Sequence, residues 1–261
     1  MQVWTGMGRG VESIVDEVEH NGTAVDRECL QYVLHEAAGS SPTRFQEGLR
    51  RDCDQYGALM PERRTKHGDP MRLEDFVNHP ASVQARLIDA HVLALRLYTT
   101  AAFQTINNPL RNGTRPHPLP ITVAFLTDGI RRLRAVAATE EGANSRADFW
   151  RGIRNIELGG ADEPHGFAKT GGTEQAPMST TQDFHVALKY SMGASSRLFF
   201  KLVTQSFMDR GADLSYLSAF PGESEFLYPP LTFLTPTGQR EEVSVDGVTF
   251  TVVEVSPRFA S

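Results

Sequence analysis

The apolar period of this chain changes once, near residue 140, and that change restricts the fold more than any other feature. Before it, apolar residues recur every three to four positions, the mark of helices with one buried face. After it, short apolar runs alternate with Gly and Pro, the texture of strands and turns. Helices first and strands later, without strand–helix–strand alternation, imply an α+β protein with an antiparallel sheet. The same order argues against a doubly wound nucleotide-binding fold, and neither GxGxxG nor GxxxxGK[ST] occurs in the sequence.

The strongest helical pattern predicts one helix over residues 82–106. Leu87, Ala90, Ala94, Leu97, Tyr98 and Ala101 form its apolar face, His79-Pro80-Ala81-Ser82 supplies a start, and Asn107-Asn108-Pro109 an end. A second helix is predicted over 121–138, with Val123, Leu126, Ile130, Leu133 and Ala137 as its stripe and Gly129 as an internal weakness. The polar stretch 39–72 carries no clear period. Strands are predicted over 149–153, 198–203 and 226–234. Asp246-Gly247, between the alternating runs 242–245 and 248–253, is a strong hairpin signal.

Composition narrows the function classes. The formal net charge is −6 over 261 residues. A mildly acidic chain has no bulk attraction for phosphate backbones, so nucleic acid is not the expected partner. Cys29 and Cys53 sit in no CxxC pair and near no His cluster, so no metal site is expected. No run is long and apolar enough to span a bilayer, and Met1 to Gly6 lack a basic region followed by an apolar one. The expectation is a cytoplasmic protein or a released effector.

Three separated pieces carry the chemistry. The first is Trp150-Arg151-Gly152, an arginine in an apolar strand. Its forked guanidinium needs an anionic partner, either a ligand's diphosphate or carboxylate, or an internal acid. The glycine after it permits close approach of backbone to a ligand. The second is Ser179-Thr180-Thr181, three hydroxyls before a helical stretch carrying Phe184, Ala187, Leu188 and Ser191, with Thr181 as a candidate cap. The third is Glu223-Ser224-Glu225 in Pro221-Gly222-Glu223-Ser224-Glu225-Phe226-Leu227-Tyr228-Pro229-Pro230. On an extended strand, carboxylates two apart share a face. Such a pair repels, which raises the pKa of at least one member when buried, and it suits a site that stabilises a cation and accepts a proton. Glu-x-Glu alone is equally a pair of solvated edge residues.

Taken in order, these pieces resemble the R-S-E class of mono-ADP-ribosyltransferases, which includes arginine-specific ecto-enzymes and bacterial toxins. Upstream, Tyr98-Thr99, Ile106-Asn107, Leu110-Arg111, Pro118-Leu119-Pro120 and Leu133-Arg134 resemble that family's helical lobe. The likeness covers roughly residues 87–255. It implies a helical N-terminal lobe followed by a split antiparallel β-sandwich, NAD⁺ as substrate, no metal, and a protein partner with an exposed arginine.

The resemblance also implies a role for each matching residue. Arg151 holds the NAD⁺ diphosphate region and shapes the site, and Gly152 offers backbone to the nicotinamide carboxamide. Ser179, with Thr180 beside it, orders the pocket near the nicotinamide ribose. Phe184 and Tyr190 pack near the nicotinamide. Glu225 binds the ribose 2′-hydroxyl and stabilises the oxocarbenium-like transition state, while Glu223 orients and deprotonates the acceptor. Glu in the first position of Glu-x-Glu goes with arginine acceptors in that family. The segment 160–172, with Phe167 in it, matches the family's phosphate–nicotinamide loop. Two departures stand out: Ser-Thr-Thr replaces the usual Ser-Thr-Ser, and His165-Gly166 is similar to a His-based class whose histidine would stand where Arg151 does. The expected organisation is an N-terminal extension over 1–80 and a catalytic domain over 81–261. The alternatives are an NAD⁺ glycohydrolase, with water as acceptor, and an inactive binding domain of the same fold.

Overall fold

A computed structural model describes residues 9–40, 50–139, 143–153, 166–191 and 197–259. The chain forms two compact units, Met1–Val136 with Leu214–Gly222, and Ala137–Asp213 with Glu223–Ser261. The division falls after Val136, so the segment before residue 81 and the helices after it share one unit.

The first unit is helical: α1 (Arg9–Asn21), α2 (Ala24–His35), α3 (Leu73–Val77), α4 (Pro80–Gln84), α5 (Asp89–Tyr98), α6 (Phe103–Asn112) and α7 (Pro120–Val136). Helix α2 starts at a capping box. Thr23 Oγ1 accepts from the Asp26 amide (3.2 Å), and Asp26 Oδ2 accepts from the Thr23 amide (2.7 Å). Helix α5 is the hub, buried from Ala90 to Tyr98 and packed against α1, α2, α3 and α7. Gly129 of α7 lies where a Cβ would meet Leu95 Cδ1 at 2.9 Å, so close approach to α5 explains a residue that propensity disfavours there.

The predicted helix over 82–106 is three helices. Its apolar face is right, since Leu87, Ala90, Ala94, Leu97, Tyr98 and Ala101 are all buried. Its continuity is not. Arg86 is left-handed (φ 52°) and Ile88 extended, which separates α4 from α5. The Thr99 and Thr100 hydroxyls then donate to the Arg96 and Leu97 carbonyls (2.8 and 2.6 Å), a local bond that competes with helix continuation. Pro109 does not end a helix either; it lies inside α6, which closes at left-handed Gly113 (φ 66°). The second predicted helix matches α7 closely.

The second unit holds β1 (Ala147–Ile153), α8 (Phe167–Thr170), β2 (Gly172–Glu174), β3 (Met178–Thr181), α9 (Phe184–Ser191), β4 (Leu198–Thr204), β5 (Ala212–Asp213), β6 (Glu225–Tyr228), β7 (Thr232–Val245) and β8 (Val248–Arg258). They form one sheet in the order β2-β7-β8-β4-β1-β3-β6-β5. The pairs are antiparallel except β4–β8, which is parallel because the chain crosses over through β5, β6 and β7 before β8 returns beside β4. The fold is α+β, helices first. Within the described residues β1 and β3 meet at one registered pair, Trp150 opposite Thr181.

Strand β4 is buried on both faces, which explains its unbroken apolar run. Phe200 and Leu202 join Phe149, Met178, Tyr228 and Val255 on one side. Phe199 faces the other way, with Ala187 and Leu188 of α9 and with Val252. The predicted strand over 226–234 is two strands, parted by Pro229, Pro230 and left-handed Leu231 (φ 63°). The hairpin stands as predicted. Asp246 (φ 50°) and Gly247 (φ 77°) turn the chain between Val245 and Val248, although β7 begins ten residues earlier than the alternation suggested.

Candidate active site

The three sequence pieces lie on neighbouring strands of one unit: Arg151 on β1, Ser179 on β3 and Glu225 at the head of β6. The ladder between β3 and β6 sets Ser179 opposite Leu227, Thr180 opposite Phe226 and Thr181 opposite Glu225. Glu225 is buried, with 7% of its surface exposed. A carboxylate removed from water at a strand end is costly unless it has work or partners there.

The paired glutamates are not on one strand, as the spacing argument assumed. Glu223 ends a short 3₁₀ turn (Pro221–Glu223), Ser224 is left-handed (φ 45°), and Glu225 begins β6. Side chains hold Glu223 instead. The Tyr190 hydroxyl of α9 donates to Glu223 Oε1. Thr181 Oγ1 donates to the Glu223 carbonyl (2.8 Å) and accepts from the Asp183 amide (3.0 Å). Burial pushes the Glu223 carboxyl above the usual carboxylate range, while the Tyr190 bond and the Lys189 charge pull it back. A raised group was expected, but its cause is desolvation.

Arg151 Nη1 donates to the Ser179 carbonyl (2.6 Å), and Nη2 lies 3.8 Å from Glu174 Oε2 on β2. The guanidinium therefore braces β3 and meets an internal acid, while a fifth of the side chain stays exposed. Among the described residues no partner takes the Ser179 hydroxyl. The Thr180 hydroxyl donates to the Phe226 carbonyl (2.9 Å), which ties β3 to β6. Gly152 is required by packing, because a Cβ there would meet Ser191 Oγ at 1.9 Å and the Ala187 carbonyl at 3.2 Å. Phe184 sits edge-on to Trp150 (4.9 Å) and tilted against Phe199 (5.3 Å), within the aromatic packing of α9.

Thr181 does not cap α9. Asp183 does, accepting from the His185 amide (2.8 Å), which leaves Thr181 to hold Glu223. One contributor escaped sequence reading, Glu174 as the acid facing Arg151; Tyr190 was read only as a ring near the nicotinamide, and its hydroxyl donates to Glu223. Nothing local in the sequence pointed from Tyr190 to Glu223, 33 residues on. Phe167 stacks on Phe200 (4.9 Å, 15°). The rest of the expected phosphate–nicotinamide loop before residue 166, with His165, lies outside the described residues. Among the described residues no group of three or more His, Cys, Asp or Glu side chains gathers as a metal site would require. No described helix is long and apolar enough to cross a membrane.

Compared by sequence, no protein-family model and no curated protein matches the chain. Compared by structure, it is similar to the ADP-ribosyltransferase HopU1 of Pseudomonas syringae pv. Tomato DC3000, with 23% identity over 89% of this chain and 97% of that chain and a TM-score of 0.52. It is also similar to Plx2a, an ADP-ribosyltransferase toxin from Paenibacillus larvae, with 14% identity over 72% of this chain and 95% of that chain and a TM-score of 0.50.

The chain has the ADP-ribosyltransferase fold. Within that fold the elements that gather the motifs are the β1–β3 junction and the β3–β6 ladder. Each is built from residues whose polar groups bond backbone as well as neighbouring side chains, so the arrangement is held by the sheet itself.

Proposed function

We propose that this chain is a mono-ADP-ribosyltransferase that transfers ADP-ribose from NAD⁺ to protein side chains, with arginine as the acceptor and nicotinamide released. The observation that carries the proposal is the gathering of Arg151, Ser179 and Glu225, far apart in sequence, onto the adjacent strands β1, β3 and β6. The fold shared with HopU1 and Plx2a, both ADP-ribosyltransferases by name, supports it.

Departure of neutral nicotinamide leaves positive charge on the ribose. A fixed, buried carboxylate stabilises that developing charge more than it stabilises the ground state, which is the condition for catalysis. Glu225 has that burial and a strand-fixed backbone. Ser179 would reach the nicotinamide ribose with its hydroxyl, beside Thr180 on the same strand. Arg151, partly exposed, would meet the diphosphate, with Glu174 as its partner when no anion is bound. Gly152, Phe184 and Tyr190 complete the shell in this reading, Gly152 by backbone and the two rings by shape. Glu223 serves the acceptor. A guanidinium must lose a proton as its nitrogen attacks, and the Glu223 carboxylate, bonded by Tyr190, would receive it.

The test is incubation with labelled NAD⁺ in two arms, one with agmatine and one with a cell lysate followed by mapping of the modified side chains. Label on arginine supports the full reading. Label on another residue type keeps the transferase and corrects the acceptor. Brisk NAD⁺ hydrolysis with no labelled acceptor would make the protein a glycohydrolase.

A further inference from the structure

Arg151 and Glu174 both stand on the apolar face of the sheet. Arg151 lies between Phe149 and Ile153 on β1 and opposite Phe200 on β4, all three in the core of that unit. Glu174 shares a face of β2 with Gly172, which is registered with Leu234 of the same core. Three strands, β7, β8 and β4, separate β2 from β1 in the sheet order. A flat sheet would set β2 and β1 about 19 Å apart, more than the two side chains can span. Arg151 Nη2 lies 3.8 Å from Glu174 Oε2, so the sheet curves over its apolar face and brings the two charges together. Each keeps about a fifth of its side chain exposed (20% and 18%).

Opposite charges beside an apolar core stabilise a chain best as a hydrogen-bonded pair. This pair is not one. Arg151 Nη1 is committed to the Ser179 carbonyl (2.6 Å), and the 3.8 Å from Nη2 to Oε2 is a charge contact beyond hydrogen-bond length. Glu174 is held by backbone close to it in sequence. The amide of buried Ala176 donates to Glu174 Oε1 (3.1 Å), a bond that does not involve Arg151. The carboxylate is thus a fixed part of the surroundings of Arg151. An anion that reaches Arg151 Nη2 meets this carboxylate at close range, attracted by one group and repelled by the other.

We propose that Glu174 sets the affinity for the dinucleotide: it is a fixed negative charge beside Arg151 that weakens the hold on the diphosphate. The inference rests on the reading that Arg151 meets the NAD⁺ diphosphate. That diphosphate keeps its charge from substrate to modified product. A tight hold on it stabilises every state alike and slows release of product, without lowering the chemical barrier. Glu174 therefore acts on binding and release, and the step that breaks the bond to nicotinamide is left to other residues.

Glu174→Gln keeps the shape and an acceptor for the Ala176 amide, and removes the charge. The probes are NAD⁺, ADP-ribose, which carries the same diphosphate, and nicotinamide, which carries none. Calorimetry gives their dissociation constants for the parent, Glu174→Gln and Arg151→Lys at low and high salt, and NAD⁺ hydrolysis gives kcat and KM. In Glu174→Gln, NAD⁺ and ADP-ribose should bind about three- to tenfold tighter at low salt, the scale of two like charges about 6 Å apart near a protein surface. The gain should shrink at high salt, because the site is partly exposed. KM should fall with the dissociation constant, while kcat and the affinity for nicotinamide stay near parental values. Glu174→Asp keeps the charge but withdraws it by a methylene, so it should give a smaller gain in the same direction; it decides if the Gln variant does not fold. Unchanged or weaker binding of NAD⁺ and ADP-ribose in folded Glu174→Gln, where Arg151→Lys weakens both, overturns the proposal and leaves Glu174 as a brace that orients Arg151. An equal gain for nicotinamide also overturns it. If Arg151→Lys leaves all three affinities unchanged, the diphosphate does not sit at Arg151, and the reading beneath the proposal fails instead.

Discussion

The bond between Tyr190 and Glu223 gives the most direct test of how the site works. In Tyr190→Phe the ring and its packing on α9 remain, and one hydroxyl is lost. That hydroxyl donates to Glu223 Oε1 and favours the ionised carboxylate, against burial, which favours the protonated form. Removing it shifts the balance further toward the proton. In its proposed role Glu223 must be ionised to accept a proton from the acceptor, so the acid limb of the transfer rate is expected to move to higher pH. Hydrogen bonds to charged groups contribute about 1.5–3 kcal/mol. Water will replace part of that at a half-buried group, and about 1.4 kcal/mol remaining corresponds to a tenfold change in the ionised fraction below the limb. Transfer to agmatine at a fixed mildly acidic pH should therefore fall about tenfold, with recovery at alkaline pH. NAD⁺ hydrolysis, which the proposed mechanism assigns to Glu225, should keep its profile. The assay is initial rate against pH for both reactions, in parent and variant. Equal displacement of the two profiles would show that Glu223 is not specific to the acceptor. No displacement in either would show that the Tyr190 bond has no hold on its charge.

Glu225→Gln should lower both transfer and hydrolysis about a hundred- to a thousandfold, the scale of one preorganised electrostatic group, with the melting temperature within a few degrees of the parent; near-parental hydrolysis would remove Glu225 from the chemistry. Glu223→Gln should suppress transfer and spare hydrolysis. It should also raise the melting temperature at neutral pH. A carboxyl whose folded pKa is raised contributes stability that is present below its unfolded pKa, about 4.3, and is lost as pH rises through the folded value, so the gain from Gln should vanish in acid. Gly152→Ala should destabilise the protein by about 1–3 kcal/mol in chemical denaturation, and adding Ser191→Gly should recover part of that, because the Ser191 hydroxyl is the nearest obstacle. Arg151→Lys should weaken NAD⁺ binding in calorimetry, since the planar fork is lost; equal affinities would leave Arg151 as the brace between Glu174 and Ser179 alone.

Much of the fold could be read from pattern because pattern reports burial. The face of α5, the stripe of α7, the strand around Arg151 and the Asp246-Gly247 turn all follow from period or turn chemistry. The misplaced ends have local causes that period does not carry. Left-handed Arg86 interrupts an apolar face without changing it, and threonine hydroxyls close α5 although Thr99 and Thr100 fit its spacing. Pro229-Pro230 was a readable stop inside the strand predicted over 226–234, and the apolar residues on either side masked it. The polar stretch 39–72 carried no period because it is not a regular element with one apolar face, and its buried charges, Asp52 and Arg63, are among the least exposed side chains in the described chain, which residue type does not foretell.

The candidate site was legible as residue types in order, but not as geometry, and the difference has a consequence for how its two halves can vary. Glu225 owes its place to a backbone ladder, which tolerates many side chains as long as the strands pair. Glu223 owes its place to the Tyr190 hydroxyl, the Thr181 hydroxyl and a left-handed serine, each replaceable by one substitution. The NAD⁺-cleaving half of the proposed reaction is therefore built on the robust element and the acceptor half on the adjustable one. On the proposed reading, substitutions at Tyr190, Thr181 or Ser224 would alter the acceptor half, while Glu225, the carboxylate proposed to stabilise the ribose cation, would stay where the sheet puts it.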